Sequence, residues 1–91
     1  MATKSLRVTT APIKIQGLLT DKQYVAQNIG TSDIIILSST ETGSSLPKPY
    51  PDGFVISWRE HGTQLLQPIE DECIWVRTES GGSTLIYDEV V

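Results

Sequence analysis

Hydrophobic and polar residues alternate in short runs along most of this chain, with the period of two that is typical of β-strands. β-branched and aromatic residues dominate the runs, and turn residues separate them at the spacing of about 8–12 residues that sandwiches and barrels show. The pattern predicts an all-β fold, a small antiparallel β-sandwich or barrel of about seven to eight short strands. The runs are SLRVTT, IKIQGLL, QYVAQNI, DIIILSS, FVISWRE, TQLLQPI and two closing segments on either side of Gly81-Gly82.

One long interruption separates the fourth run from the fifth. Residues 39–53, STETGSSLPKPYPDG, contain Pro47, Pro49 and Pro51. Proline donates no backbone hydrogen bond, so this segment cannot be a central strand. Long connections of this kind inside a compact domain are usually functional or mobile. The sequence therefore predicts a single β domain over residues 1–91 with one proline-rich loop, residues 39–53.

Two of the predicted strands are apolar on both faces, Ile34–Leu37 and Ile74–Val76. A strand with one solvated face should alternate apolar and polar side chains, so something must cover the second face. Another subunit and the proline-rich loop are the two alternatives, and the first is preferred because single domains rarely leave large apolar patches open. The residues predicted to contact other subunits are Ile34, Ile35, Ile36, Pro47, Pro49, Tyr50, Trp58 and Trp75.

The end of the chain is also apolar, which is unusual for a disordered tail. We expect residues 84–89 to pair as a strand with residues 73–79. Gly81 and Gly82 would then supply positive φ angles in the connecting hairpin.

Charge and size narrow the classes of partner. The chain has 91 residues, 7 basic against 11 acidic side chains and a net charge of −4, without a basic cluster for phosphate backbones or anionic lipids. Neither a nucleic acid nor a membrane partner is expected. The N-terminus lacks the apolar core of an export signal, and we expect a soluble protein. A domain this small buries roughly 60–65% of its unfolded surface, so a subunit interface would stabilise it.

The sequence contains few residues for chemistry. His61 and Cys73 are the only histidine and cysteine, too few for a zinc site, and Cys73 lies in an apolar run that favours a buried, inert thiol. Glu70-Asp71-Glu72 predicts a solvated turn, with a cation site as the alternative. We therefore expect no enzyme activity, no cofactor and no metal.

Three spaced motifs carry a resemblance that extends over most of the chain. They read Y-x-x-Q-N-x-G, P-x-x-x-x-x-x-W and G-G-x-x-x-x-x-x-E. With them the chain resembles small β-barrel structural proteins of tailed bacteriophages. The resemblance implies a virion component, commonly a symmetric oligomer, and it brings no catalytic residues. The matching residues are Tyr24, Gln27, Asn28, Gly30, Trp75, Gly81, Gly82 and Glu89.

The side-chain amides of Asn28 and Gln27 can also be interpreted without the resemblance. Their amides can tie a strand end to a neighbouring loop, which is the preferred interpretation, or they can contact a partner. Gly30 would permit the bend before the next strand.

The expected function is that of a non-enzymatic virion structural protein, a capsid decoration or cement protein that forms a homo-oligomer. Its partners would be capsid or head–tail subunits, and its location the virion after synthesis in the host cytoplasm. The alternative is a carbohydrate- or receptor-binding module that uses Tyr50 with Trp58 or His61.

Overall fold

The computed structural model describes residues 3–41, 43, 45–59 and 63–90, and the regular secondary structure of this part consists of β-strands. The prediction of an all-β fold is confirmed. None of the described residues belongs to a helix long and apolar enough to cross a bilayer. The eight strands are β1 (Lys4–Val8), β2 (Ile13–Lys14), β3 (Tyr24–Asn28), β4 (Ile34–Ser39), β5 (Phe54–Ile56), β6 (Thr63–Leu66), β7 (Cys73–Arg77) and β8 (Ser83–Glu89).

The strands form two antiparallel sheets of four, as in a small β-sandwich. Sheet A has the order β1-β8-β3-β6, and sheet B has the order β2-β7-β4-β5. Of the strands that follow one another along the chain, only β4 and β5 are paired in one sheet, and the proline-rich loop joins them. Every other connection between described strands crosses from one sheet to the other.

The main core lies between the two sheets and follows from the alternation along each strand. On β4, Ile34 and Ile36 point inward, and on β3 Tyr24 and Ala26 do the same from the opposite sheet. Burying each large aliphatic side chain contributes about 1.5–3 kcal/mol. The buried members of this core are Val8, Ile15, Tyr24, Ala26, Ile34, Ile36, Ile56, Leu66, Ile74, Val76, Leu85 and Tyr87.

The closing hairpin predicted from Gly81-Gly82 is wrong. β7 lies between β2 and β4 in sheet B, whereas β8 lies between β1 and β3 in sheet A. Each strand is central in its own sheet, so both of its edges are already paired. The connection between them is closed by Thr78, whose Oγ1 donates to the carbonyl oxygen of Gly81 at 2.7 Å. Gly81 has the expected positive φ of 70°, but Gly82 does not.

Asn28 ties the end of β3 to three neighbouring segments, as the preferred interpretation of its amide predicts. Its side chain is fully buried, and its Nδ2 donates to the carbonyl oxygens of Ser32 at 2.8 Å and Ile56 at 2.9 Å. Its Oδ1 accepts from Gly30 N at 3.0 Å and from Ser83 Oγ at 2.6 Å. A buried amide with all these partners has a structural role.

Candidate protein-binding surface

The outer face of sheet B carries a second apolar cluster, which the proline-rich loop covers. Ile35, Leu37 and Trp75 point outward from β4 and β7, and Leu46 of the loop lies over them in the same buried cluster. Tyr50 packs against this cluster as a partly buried neighbour. We call these residues the covered face.

The covered face corrects the preferred interpretation of the two-faced strands. Ile34, Ile35, Ile36 and Trp75 are at most 8% exposed within one chain, and Trp75 is fully buried. Their second face is therefore not left open for a subunit, and the alternative, coverage by the proline-rich loop, is the arrangement in the structure. The physical reason is that the loop between β4 and β5 carries Leu46 and Tyr50 back over the strand from which it starts.

Polar contacts hold the loop in place. Trp75 Nε1 donates to the carbonyl oxygen of Glu41 at 3.3 Å, and Glu41 N donates to Ser39 Oγ at 3.1 Å. The guanidinium of Arg77 lies 4.9 Å from the centroid of the Tyr50 ring, a cation–π distance. Tyr50 is thus engaged in holding the loop. The predicted contact residues Pro47 and Pro49 are exposed on its surface.

A different group of apolar side chains lies open at one side of the sandwich. Phe54 is 66% exposed, Val55 61%, Leu65 50% and Ile69 54%. Phe54, Leu65 and Ile69 line a groove of about 310 Å³ between sheet B and β6. We call these four residues the open edge. Val55 is next to Phe54 in the chain but points to the outer face of sheet B. Exposed apolar side chains beside a groove mark interaction sites in soluble proteins.

The ends of the two sheets position the open edge. β5 is the last strand of sheet B and β6 the last strand of sheet A. Phe54 lies opposite Ile36 and Val55 opposite Ile35. The three-residue strand therefore sends Phe54 and Ile56 to the inner side of the sheet and Val55 to the outer side. At the start of β5, a Cβ on Gly53 would overlap the carbonyl oxygen of Ile36. Glycine therefore allows β5 to lie close against β4.

Trp58 follows β5 and is 37% exposed. Its backbone N donates to Asp33 Oδ1 at 3.0 Å, and the Arg59 guanidinium lies 5.4 Å from its ring centroid. It lines a polar cavity of about 410 Å³ that Tyr50 does not line. The pairing of Tyr50 with Trp58 in one site is thus not formed. His61, the other predicted partner of Tyr50, lies outside the described residues.

A third cavity, of about 280 Å³, contains two tyrosines. Tyr24 Oη accepts a hydrogen bond from Leu19 N at 2.9 Å. Burial raises the pKa of the Tyr87 phenol, and the neighbouring Tyr24 adds to the shift. Tyr87 therefore stays protonated at neutral pH and cannot serve as a base there.

The remaining candidates for chemistry are dispersed. Among the described residues, no three Cys, His, Asp or Glu side chains come together as a metal site would require. Cys73 is partly buried against the covered face. Glu70 and Asp71 form an exposed turn, closed by Glu72 N donating to Ile69 O at 3.1 Å.

The open edge is absent from the contact residues that the sequence predicts, although a signal for it exists. Phe54-Val55-Ile56 is a run of three apolar residues, and Leu65-Leu66 is a run of two. Each run puts apolar side chains on both faces of its strand, the same feature that distinguishes Ile34–Leu37.

Comparison with known proteins found no matching family model, no matching curated protein and no matching solved structure.

Proposed function

We propose that this protein is a non-enzymatic structural domain that binds other protein subunits through the open edge. The observation that supports this is the exposure of Phe54, Val55, Leu65 and Ile69 at one side of a sandwich whose other large apolar face is already covered. Interface anchors are typically aromatic and aliphatic side chains beside a groove that a partner can fill.

The lining of the groove favours binding over catalysis. Its polar members among the described residues are Ser38, Asp52, Gln64 and Gln67, of which Asp52 alone is ionisable. General acid–base catalysis needs titratable groups in complementary states, and nucleophilic catalysis needs a base beside the nucleophile. The groove combines apolar walls with a few hydrogen-bonding groups at its margin, which is the composition of a binding surface.

The class of partner comes from the resemblance to tailed-phage structural proteins. On that basis we propose a virion component that docks on capsid or head–tail subunits, with capsid decoration or cementing as its role. Genes for capsid, portal or tail proteins next to this one would support the proposal.

Co-sedimentation with assembled phage heads and tails tests the proposal directly. We expect the wild-type protein to sediment with one of these particles and the double variant Phe54→Ser, Leu65→Ser to lose at least about tenfold in affinity. Leu19→Ser is the matched control, because Leu19 is equally exposed but lines the cavity with the two tyrosines. Absence of binding to any particle contradicts the virion role, and binding that the double variant retains contradicts the open edge.

Trp58 supports a second candidate, a carbohydrate-binding module. It lines one cavity together with Thr31, Asp33 and Glu79, and an exposed aromatic near hydrogen-bonding side chains suits a sugar. A glycan array with wild type, Trp58→Ala and Tyr50→Ala shows which of the two aromatic residues a bound glycan needs. Binding lost only in Trp58→Ala supports this cavity, and no binding by the wild type removes the candidate.

A further inference from the structure

The edge of sheet B at β5 differs from the other sheet edges in its side chains. Among the described residues, β4 is the only strand paired with β5. Natural sheets protect such edges with lysine, proline or inward-pointing charge. The edge strand β1 carries Lys4 and Arg7, and β2 carries Lys14. The edge strand β6 has no charge but begins with the polar Thr63 and Gln64, whereas β5 consists of Phe54, Val55 and Ile56. Proline precedes β5 at position 51 but does not interrupt it.

We propose that β5 pairs antiparallel with β5 of a second copy of this chain across a two-fold axis. This inference rests on the proposed function, since it names a second copy as the partner of the open edge. A two-fold axis brings the same strand of both chains together in antiparallel orientation, so one unprotected strand is complementary to itself. The two B sheets, each of four strands, would join into one continuous sheet.

The charges around β5 fit this pairing when Val55 lies opposite Val55 of the second copy. Asp52 then lies at the same end of the seam as Arg59 of the second copy, and the arrangement repeats at the other end. Both residues are exposed in the single chain. Opposite charges at the rim of an interface fix register and orientation.

The available area fits a weak dimer. Phe54 and Val55 are both more than half exposed and would lie beside their counterparts in the second copy, with Trp58, which is 37% exposed, near the ends of the seam. These few side chains make a small interface, of the size found in weak, transient complexes. We therefore expect a concentration-dependent dimer with a Kd on the order of 10 µM.

Analytical ultracentrifugation of the full chain from about 1 to about 500 µM tests the dimer. Val55→Lys introduces a charge at the centre of the seam and should raise the Kd at least about tenfold. Leu19→Lys is the matched control, because Leu19 is also an exposed aliphatic residue but lines the cavity with the two tyrosines. It should leave the Kd within about twofold of wild type.

A charge swap tests the register. Asp52→Arg and Arg59→Asp should each raise the Kd several-fold, and the double variant should restore it. Circular dichroism and thermal unfolding check that every variant is folded.

A wild-type chain that stays monomeric over the whole range overturns this inference. If that monomer still binds particles through Phe54 and Leu65, the proposed function stands and only the dimer is lost. A dimer that Val55→Lys leaves intact also overturns the β5 seam. Failure of the charge swap to restore affinity overturns the register centred on Val55.

Discussion

The covered face and the open edge are both apolar, but only the first is shielded by the chain itself. The covered face lies on sheet B, and the open edge lies where β5 of sheet B comes near β6 of sheet A. On the covered face, Leu46 and Tyr50 of the proline-rich loop shield Trp75, so the apolar face is buried within one chain. At the open edge, Phe54 and Val55 follow directly after the same loop and remain exposed. An apolar strand face thus requires a cover, but its sequence does not say whether that cover comes from the same chain.

The path of the loop explains the difference. It leaves β4 at Ser39, crosses the outer face above Trp75 and returns to the sheet at Gly53. The apolar residues of the loop, Leu46 and Tyr50, pack on the covered face, so they do not cover β5. Phe54 then lies at the rim of the sandwich, where the next described strand, β6, belongs to the other sheet.

Replacing Trp75 should have the largest effect on the stability of the fold. Trp75→Ala leaves a cavity in a fully buried site and should lower the free energy of unfolding by about 3–5 kcal/mol. Trp58→Ala, the control at the partly exposed tryptophan, should cost less than about 1 kcal/mol. Urea titration followed by far-UV circular dichroism measures both. Equal losses would mean that the loop does not cover Trp75 in solution.

Asn28→Ala should have the next largest effect. It leaves the carbonyl oxygen of Ile56, the hydroxyl of Ser83 and the amide of Gly30 without this partner, and should cost about 3 kcal/mol. Ser83→Ala removes one of these hydrogen bonds and should cost about 1 kcal/mol.

Because Asn28 holds the end of β5, its loss should also loosen the open edge. Amide hydrogen exchange in β5 should speed up more than exchange in β7, which is paired on both sides. Uniform acceleration in the two strands would contradict this anchoring role.

Local patterns in the sequence predict where the strands lie, but not which strands pair or what covers an apolar face. The all-β fold, the position of the proline-rich loop and the structural role of Asn28 can all be predicted, because alternation, missing backbone donors and a buried amide are local signals. The hairpin between β7 and β8 cannot be ruled out from sequence, since Gly81 has the φ of a turn whichever sheet follows. The choice between loop and subunit as a cover depends on three-dimensional distance. For that reason the sequence pattern points to Trp75 as an interface residue and passes over Phe54.

Leu46→Ala should weaken the packing of the proline-rich loop on the covered face and leave Ile35, Leu37 and Trp75 in place. Leu46 is buried but belongs to the loop, so the loss should be about 2 kcal/mol, at the lower end for a buried leucine. In a Trp58→Phe background, Trp75 alone reports by fluorescence, and its emission should shift to the red as water reaches the ring. Pro47→Ala, at an exposed loop position, is the control that should leave the spectrum unchanged. An unshifted spectrum in Leu46→Ala would show that Leu46 does not shield Trp75.

Val55→Ser should have the smallest effect on stability. Ile35, which lies opposite Val55 on β4, gives the sharpest comparison for it. Val55 and Ile35 lie side by side on the outer face of sheet B, one exposed and the other buried. Ile35→Ser should cost about 2–4 kcal/mol, because it opens a cavity and places a hydroxyl in the apolar cluster. Val55→Ser should cost less than about 0.5 kcal/mol. Urea titrations at about 1 µM protein keep any self-association from adding to the measured stability. A large loss at Val55 under these conditions would mean that the open edge is part of the folded core, and would remove it as a binding surface.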